Sequence, residues 1–536
     1  MPEGRVECPV PNHLSGPTLD RRAGNRISPD RGILTGRERV SVSLVPATSR
    51  SASFFYVFLF PHGPFFPKMT LSLLASEQTT GHTMQHRHCR GPLPRREFLQ
   101  AGALGTAGLC LSDILAARAA SGNLRRQTSV ILMYLHGGPS QLETYDLKPD
   151  APSDYRSIYS PIPTNVPGLD ICDLFPRQAQ IADKLAIVRS CHHTMASHSD
   201  GGIQVLTGKT PAVPDPTSTS RSEHPDFGHV TSYLRAGATS AMPQYVALPN
   251  AAYMTLPTYI GVQHKPLNAG DPSQQNYRSP IQVSAGAAGE KLNDRKHLLA
   301  SLDLLRAGVD HQQALFATDK MRELAFNILT SPQTAAAFDL SQESDATKDK
   351  YGRNRWGQGA LLARRLAEAG TGVVTMFMNT PFTGPEWTNW DDHIMNAGRP
   401  GHFGDYMTRR LPYLDQCIAA LVEDLHERGI DENVMLVVMG EFGRTPRLSK
   451  NSNGVGRNHW PQAYSVLLAG GGLRTGQVVG ATNSKAEYPT LRPTTPEDIL
   501  ALMYRHLGIN PRHEIENLAG RPIPLLAQGK PISELI

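Results

Sequence analysis

The sequence predicts an α/β fold in which a mostly parallel, doubly wound sheet is flanked by helices. Short apolar runs rich in Val, Ile and Leu alternate with longer amphipathic segments along the chain. This alternation is typical of parallel strands joined by crossover helices. Loops rich in Gly, His, Asp and Ser follow the apolar runs, and in an open parallel sheet such loops hold the ligand site.

The predicted strands are the buried apolar runs at residues 129–135, 185–189, 245–248, 372–378, 434–439 and 464–469. The predicted helices are amphipathic or end at glycine, and they cover residues 201–206, 227–234, 291–329, 356–369, 405–428 and 496–507. A Pro/Ser/Thr loop at 210–222 and a segment rich in Pro, Gln, Asn and Gly at 250–285 predict an irregular insertion over about residues 209–290.

An export signal is predicted over residues 84–120. Arg95 and Arg96 precede a mildly apolar, Gly/Ala-rich run at 101–111, and residues 117–119 offer a small-residue cleavage site. The run is too short to cross a bilayer, so the order is typical of a twin-arginine signal and of a periplasmic or extracellular protein. The alternative is an amphipathic helix that happens to contain Arg-Arg.

Residues 1–83 resemble no folded domain, because Arg, Ser and Pro recur there without any period. Met84 lies at a normal distance before the twin arginines. We therefore expect translation to start at Met84, which makes 1–83 a misassigned start. A translated, disordered leader is the alternative.

The net positive charge of the chain comes from its first 120 residues. Residues 1–120 hold 14 Lys and Arg against 8 Asp and Glu, which leaves 39 against 40 in the remainder. The remainder is nearly neutral and gives no support for nucleic-acid binding. Its three cysteines, Cys172, Cys191 and Cys417, lack CxxC spacing, which argues against a disulfide framework or a zinc–cysteine site. We expect 121–536 to form a single domain.

Imidazole and carboxylate groups follow four of the predicted strands. They are His136, then His192, His193 and His198, then Asp391 and His393, and finally Glu441 and His459. The carboxyl ends of parallel strands meet at one edge of a sheet, so these groups are predicted to gather around a divalent metal ion. Zn²⁺, Ca²⁺, Mg²⁺ and Mn²⁺ are not distinguished by the pattern. Asp391 could instead cap a backbone turn.

Arg444, Arg457 and Asn458 flank this predicted metal site and are predicted to bind a substrate oxyanion, because guanidinium groups bind phosphate, sulfate and carboxylate in a bidentate way. A structural ion pair between Arg444 and Glu441 is the alternative.

Ser197, His198 and Ser199 precede a predicted helix, whose N-terminus is a natural anion site. Each of the three has a similar claim to act as nucleophile or general base. For Ser199, as for Asp200, an ordinary helix N-cap is the more common role.

Several motifs together resemble one bacterial family, called domain of unknown function 1501. They are HGGPSQLETYD (136–146), SHSDGGIQVLTG (197–208), WDDH (390–393), GEFGRTP (440–446), GRNHWP (456–461) and LLAGGGLRTGQVVGAT (467–482). The resemblance covers 125–515. The family is similar in turn to the alkaline phosphatase and sulfatase superfamily, which implies an alkaline phosphatase-like sheet with a metal site at the strand ends.

The resemblance also implies roles for single residues. Asp391 and His393 resemble one Asp/His ligand pair, Glu441 stands where an Asp-His pair would begin, and His459 resembles the final His ligand. His136 replaces an expected metal-binding Asp, His198 stands near the expected nucleophile, and Phe442 replaces a His. These departures leave open a one-metal site, an altered chemistry or a site that only binds.

The leading hypothesis is an exported, metal-dependent hydrolase of phosphate or sulfate esters. The alternative is a non-catalytic envelope protein that uses the same fold to bind a partner or an anionic glycan. We expect an anionic small molecule or glycan as substrate, and neither nucleic acid nor a transmembrane segment. The sequence does not predict the oligomeric state.

Overall fold

The computed structural model describes residues 127–236, 241–281, 326–382, 389–396 and 399–536. Its centre is an eight-stranded sheet. In chain order the strands are β1 (Ser129–Tyr134), β2 (Leu185–Cys191), β3 (Tyr245–Leu248), β4 (Leu267–Asn268), β5 (Val373–Phe377), β6 (Val434–Met439), β7 (Tyr464–Gly470) and β8 (Gln477–Val479).

The strands lie in the order β8-β2-β7-β6-β1-β5-β3-β4 across the sheet. Only β7 is antiparallel to its neighbours, β6 and β2, and every other pair is parallel. Because β7 reverses direction once, β2 points the same way as β6. The carboxyl ends of β1, β2, β5 and β6 therefore lie on one edge, and the predicted mostly parallel sheet is confirmed.

Helices cover both faces of the sheet. They are α1 (Pro176–Gln180), α2 (His198–Thr207), α3 (Phe227–Leu234), α4 (Pro332–Phe338), α5 (Asp345–Tyr351), α6 (Arg355–Glu368), α7 (Phe403–Glu427) and α8 (Pro496–His506). Successive residues of β1 point to opposite faces: Ile131 and Met133 pack with α6 and α7, and Val130 and Leu132 with α2, α3 and α8. This burial on both faces explains the continuous apolar run of β1.

Shorter strands and turns complete the described part. Two-stranded pairs join Pro161–Pro163 with Asp170–Cys172, Gly443–Arg444 with His459–Trp460, Ala481–Thr482 with Pro489–Leu491, and Glu514–Glu516 with Pro522–Pro524. A second sheet contains Met395–Asn396, Arg399–His402, Ser449–Asn451 and Gly454–Gly456. The 3₁₀ helices are Ala182–Lys184, Thr258–Ile260, Val262–His264, Leu340–Gln342 and Ser533–Leu535.

Most predicted elements agree with the structure to within a few residues, and 227–234, 245–248 and 434–439 agree in full. Helix α2 starts earlier than predicted, because Ser197 accepts a hydrogen bond from the Asp200 N–H and caps the helix. The predicted irregular segment 250–285 contains β4 and two 3₁₀ turns up to residue 281. Residues 291–325 of the predicted 291–329 helix, and the predicted signal at 84–120, lie outside the described residues.

No helix in the described ranges is both long enough and apolar enough to span a bilayer.

Candidate metal centre

Four strand ends place imidazole and carboxylate groups on the same edge of the sheet. His136 follows β1, His198 begins α2 after β2, Asp391 and His393 follow β5, and Glu441 follows β6. Hydrogen bonds, ion pairs and ring contacts join these side chains into one cluster.

His459 reaches the cluster through a local pairing. Gly443–Arg444 and His459–Trp460 form an antiparallel pair in which Arg444 lies opposite His459. The loop after β6 therefore folds back on itself. This places His459 beside cluster residues that lie much earlier in the sequence.

The Nε2 atoms of three histidines converge on the carboxylate of Asp391. His393 Nε2 lies 2.9 Å and His459 Nε2 3.0 Å from Asp391 Oδ1. His198 Nε2 lies 3.3 Å from Asp391 Oδ2. The Nε2 atoms of His393 and His459 are themselves only 3.0 Å apart.

The other ring nitrogen of each histidine faces a protein acceptor. His198 Nδ1 lies 2.6 Å from Glu441 Oε1, His393 Nδ1 2.9 Å from Asn458 Oδ1, and His459 Nδ1 2.6 Å from the Ala196 carbonyl. Because these acceptors take the proton at Nδ1, each neutral ring turns a lone pair at Nε2 toward Asp391. Three lone pairs and a carboxylate then share one small volume, an arrangement that a cation or extra protons must stabilise.

The charges in the cluster shift its pKa values. Burial alone would raise the pKa of Asp391, but the charge of Arg444 and the contacts with His198, His393 and His459 hold it well below its usual range. Burial alone would lower the pKa of His198, yet Asp391 and Glu441 raise it to about 9. Without a metal ion, a proton on His198 therefore balances the two carboxylates.

Glu441 is fully buried. Burial raises its pKa, but His136 and His198 outweigh this effect and bring the pKa to about 2. Its Oε1 accepts hydrogen bonds from the Gly137 N–H at 2.8 Å and from His198. Its Oε2 has no hydrogen-bond partner among the described residues.

Next to Glu441, His136 is buried, and neither of its ring nitrogens has a hydrogen-bond partner within the described ranges. Its ring packs against Phe377 at 4.8 Å and His198 at 5.4 Å between centroids. Burial lowers the pKa of His136. Ligand atoms of His136, His198 and Glu441 lie within 4.8 Å of one another, as do those of His198, Asp391 and His459. Either group could hold a metal ion.

Gly137 is required where the loop after β1 meets the loop after β5. Its φ is +115°, and a Cβ there would lie 2.4 Å from the Asp391 nitrogen. The close approach allows the Gly137 N–H to reach Glu441. The glycine thus helps to place both carboxylates.

Arg444 is fully buried and is bound by protein acceptors. Its guanidinium donates to the carbonyls of Gly137, Gly138, Trp390 and Arg457 and to Asp391 Oδ1 at 2.7 Å. Arg444 therefore holds Asp391 in place and ties three loops together. It does not pair with Glu441, so the alternative ion pair considered from the sequence is wrong.

Arg457 is equally buried and lies next to the loops that Arg444 joins. Its guanidinium donates to Glu143 Oε1 at 2.8 Å and to the carbonyls of Thr445, Pro446, Tyr155 and Arg156. Neither Arg444 nor Arg457 offers a guanidinium to solvent. This burial does not agree with the predicted binding of a substrate oxyanion by these two residues.

The remaining predicted site residues lie either at the exposed edge of the cluster or at the N-terminus of α2. Asn458 is exposed and orients His393 through its Oδ1. Ser197 caps α2, and the buried Ser199 donates to Asp215 at 3.5 Å. Of the three predicted catalytic residues, His198 alone contacts Asp391 and Glu441. The cap belongs to Ser197, which corrects the expectation for Ser199 or Asp200.

Two side chains support the loop after β6 in a way that was not predicted from the sequence, although His193 was expected near the metal site. The Gln141 amide accepts from the Arg444 N–H at 2.9 Å and donates to the Arg444 carbonyl at 3.0 Å. The buried His193 contacts the Glu441 carbonyl through Nε2 at 2.5 Å. Both hold the backbone of the loop after β6, a role for which the residue type gives no signal.

Comparison with known proteins identifies the family of the chain and finds only distant similarity to solved structures. The sequence profile of a family described as "Protein of unknown function (DUF1501)" matches residues 127–536. No curated protein sequence matches the chain.

Among solved structures, the chain is similar to the PsFucS1 sulfatase from Pseudoalteromonas sp., at 13% identity and a TM-score of 0.33, over 78% of this chain and 72% of that one. It is also similar to the lipoteichoic acid synthase LtaP from Listeria monocytogenes, at 10% identity and a TM-score of 0.31, over 75% of each chain. The phosphonate monoester hydrolase of Agrobacterium radiobacter matches at 11% identity and a TM-score of 0.28, over 76% and 78% of the two chains. These likenesses are distant and say nothing about activity.

Proposed function

Because the chain belongs to the DUF1501 family of proteins of unknown function, we propose its activity from the geometry of the site: it is an exported hydrolase of phosphate or sulfate esters that depends on a divalent metal ion. The observation that supports this proposal is the convergence of three histidine Nε2 atoms on Asp391. Each of these rings has its Nδ1 on a protein acceptor.

The residues present fit a metal ion. Asp391, His393, His459 and His198 would hold it, and Glu441 would support His198 from behind. An acceptor on the far nitrogen of a metal-binding histidine fixes its tautomer and raises its basicity. In this arrangement Glu441 supports a ligand and His136 lies beside the ligands, although both residues were predicted to bind the metal ion directly. Three imidazoles and one carboxylate favour Zn²⁺ over Ca²⁺ or Mg²⁺, which prefer oxygen ligands.

A bound divalent ion would supply Lewis-acid polarisation of an ester oxygen and acidify a water molecule. The chain's own residues would prepare the site for this chemistry. Arg444 keeps Asp391 ionised and fixed in place, and Phe442 closes one side of the cluster against the rings of His198 and His459. His136, whose nitrogens have no partner among the described residues, is a group that can accept a proton at neutral pH.

His198 remains our proposed catalytic residue among the three considered from the sequence. The hydroxyls of Ser197 and Ser199 already hydrogen bond within the helix cap and to Asp215. Its Nε2 faces Asp391 and its Nδ1 faces Glu441, so in the metal-bound form His198 would contribute to catalysis as a ligand and not as a proton carrier.

One observation favours a second function, a non-catalytic protein that binds an anionic glycan or a partner. Both serines near the cluster are occupied, so neither supplies a free nucleophile. A hydrolase would then have to use a water molecule. A binding protein would need neither.

Metal analysis and a substrate screen separate the two functions. The purified protein is analysed for bound metals and tested on 4-nitrophenyl phosphate, 4-nitrophenyl sulfate and a phosphonate ester. Bound metal with turnover that His459→Ala abolishes supports the hydrolase. Absence of both metal and turnover supports the binding protein.

Export through the twin-arginine pathway is part of the same proposal. Replacing Arg95 and Arg96 by Lys should retain the protein in the cytoplasm, as cell fractionation would measure. An unchanged location of this double variant would contradict the proposed route.

A further inference from the structure

A cavity of about 510 Å³ opens on the same sheet edge as the metal centre. It lies where β3, β4 and β5 end, and β5 is the neighbour of β1 in the sheet. The residues that matter in its lining are Asn250, Tyr253, Asp271, Arg355, Phe377 and Asn379. An open parallel sheet binds ligands along this edge.

The cavity and the metal centre share a wall. Tyr253 and Phe377 line the cavity, and their rings lie 5.7 Å and 4.8 Å from the ring of His136 between centroids. His136 in turn packs against His198. The cavity and the metal centre are therefore neighbours on one edge of the sheet, separated by the rings of Tyr253 and Phe377.

Arg355 gives the cavity unused cationic donors. Its Nε donates to Asp271 Oδ2 at 2.9 Å, whereas Nη1 and Nη2 have no acceptor among the described residues. Asp271 is already bound by the Ser273 N–H and hydroxyl and by Gln274. The open Nη edge is therefore the part of this pair that can bind a ligand, and its geometry suits a carboxylate.

The remaining lining suits a hydroxylated ring. Asn379 lines the cavity and contributes an amide group. Asn250 adds an exposed amide at the mouth. The Tyr253 hydroxyl is fixed to the Ser218 carbonyl at 3.0 Å, which leaves its ring as an apolar surface. Amides, one cation and an aromatic ring are the groups that bind sugars.

We propose that this cavity binds an acidic sugar, a hydroxylated ring with a carboxylate that reaches Arg355. The sugar is the part of the ester that does not react. The assignment of the sugar as the unreacted part of the ester rests on the proposed hydrolase, whereas binding of the sugar itself does not.

Binding is tested on the full chain after removal of metal with EDTA, by titration calorimetry and saturation-transfer NMR. D-glucuronate is the probe, and D-glucose and acetate are the comparison ligands. We expect saturable glucuronate binding that is about tenfold tighter than binding of glucose or acetate. Glucose lacks the carboxylate that makes a charge-assisted hydrogen bond to Arg355, and acetate lacks the hydroxylated ring. Absence of saturable binding, or equal binding of glucose or acetate, overturns the proposal.

Matched variants locate the site. Arg355→Gln should remove the preference for glucuronate, and Arg353→Gln should keep it, because Arg353 pairs with Asp345 and Asp349 instead. Asn379→Asp is a second variant, which should repel glucuronate by placing a carboxylate at the other end of the cavity. Circular dichroism checks that each variant folds. If folded Arg355→Gln and Asn379→Asp both bind glucuronate like the parent chain, the proposal fails.

The failure of this proposal can be told apart from failure of the hydrolase. Glucuronate binding without ester turnover leaves the sugar site intact and rejects the hydrolase. Turnover of simple esters without glucuronate binding rejects the sugar site and leaves the hydrolase intact.

Discussion

His198 and Glu441 form a hydrogen bond of 2.6 Å between Nδ1 and Oε1, and the opposite nitrogen of His198 faces Asp391. The pair therefore fixes which nitrogen of His198 is available to a metal ion. Because Glu441 is fully buried, the bond has little competition from water.

Glu441→Gln should weaken metal binding without abolishing it. The amide keeps the shape of the side chain but loses its charge, and loss of such a supporting partner typically costs about 10–100-fold in metal affinity. Competition with a chromophoric chelator measures the Zn²⁺ affinity. Glu487→Gln, a change outside the cluster, is the control, and an equal affinity of Glu441→Gln and the parent chain would contradict the supporting role.

His393→Ala and His459→Ala should each lower the bound metal and abolish turnover, because each removes one of the converging Nε2 atoms. Elemental analysis after gel filtration gives the metal content per chain. His426→Ala is the matched control, since His426 pairs with Asp431 instead. Full metal content in both cluster variants would reject the proposed ligands.

Ser197→Ala should leave turnover nearly unchanged and should destabilise the protein by about 1 kcal/mol, the usual cost of losing an N-cap side chain. His198→Ala should abolish turnover. Ester hydrolysis and urea unfolding measure the two effects. Complete loss of activity in Ser197→Ala, with metal content preserved, would instead identify the serine as nucleophile.

Arg444→Lys should destabilise the protein by roughly 3 kcal/mol or more. A lysine cannot reproduce the planar fork that binds four carbonyls and Asp391, so buried acceptors lose their partners. Arg447→Lys, at an exposed position, is the control and should change the free energy of unfolding by less than about 0.5 kcal/mol. The hypothesis of a structural clamp is rejected if both variants unfold at the same urea concentration.

Acid should destabilise the metal-free protein partly through His193. The Met195 N–H donates to its Nδ1, so its Nε2–H donates to the Glu441 carbonyl and the ring is held neutral. Burial lowers the pKa of His193 from 6.5 to about 4. Between these values the unfolded chain binds a proton that the folded chain does not, so the free energy of unfolding falls as the pH falls.

The loss from this residue should reach about 3 kcal/mol at pH 4, at 1.36 kcal/mol per pKa unit, and should stay below about 0.5 kcal/mol above pH 6.5. Urea unfolding of His193→Gln between pH 7 and pH 4 should therefore give a flatter pH dependence than the parent chain. His513→Gln, at an exposed position, should not change the slope. Identical slopes for all three proteins would show that His193 is not responsible.

The sequence predicted the sheet well, because burial on both faces leaves a clear apolar run such as 434–439. The convergence of His136, Asp391 and Glu441 followed from the rule that parallel strands end at one edge, whereas the local pairing that places His459 was not predicted. The reversal of β7 was not predicted, since its apolar run, 464–469, looks the same in either direction.

The roles of Arg444 and Arg457 could not be read from residue types. A guanidinium among polar residues predicts an anion partner, but most of the acceptors here are backbone carbonyls of loops that are distant in sequence. Which carbonyls are available depends on the folded loops and leaves no pattern in the chain. The cap at Ser197 was missed for a related reason, because Ser197, Ser199 and Asp200 are all good capping residues.

The short pairing between Arg444 and His459 has a consequence for biosynthesis. The last ligand of the proposed centre is placed only when Gly443–Arg444 meets His459–Trp460, late in the order in which a ribosome makes the chain. A nascent chain that stops before this hairpin lacks a complete set of ligands. In the proposed metal-bound form, the binding energy of the ion would add only to the stability of chains that extend past Trp460.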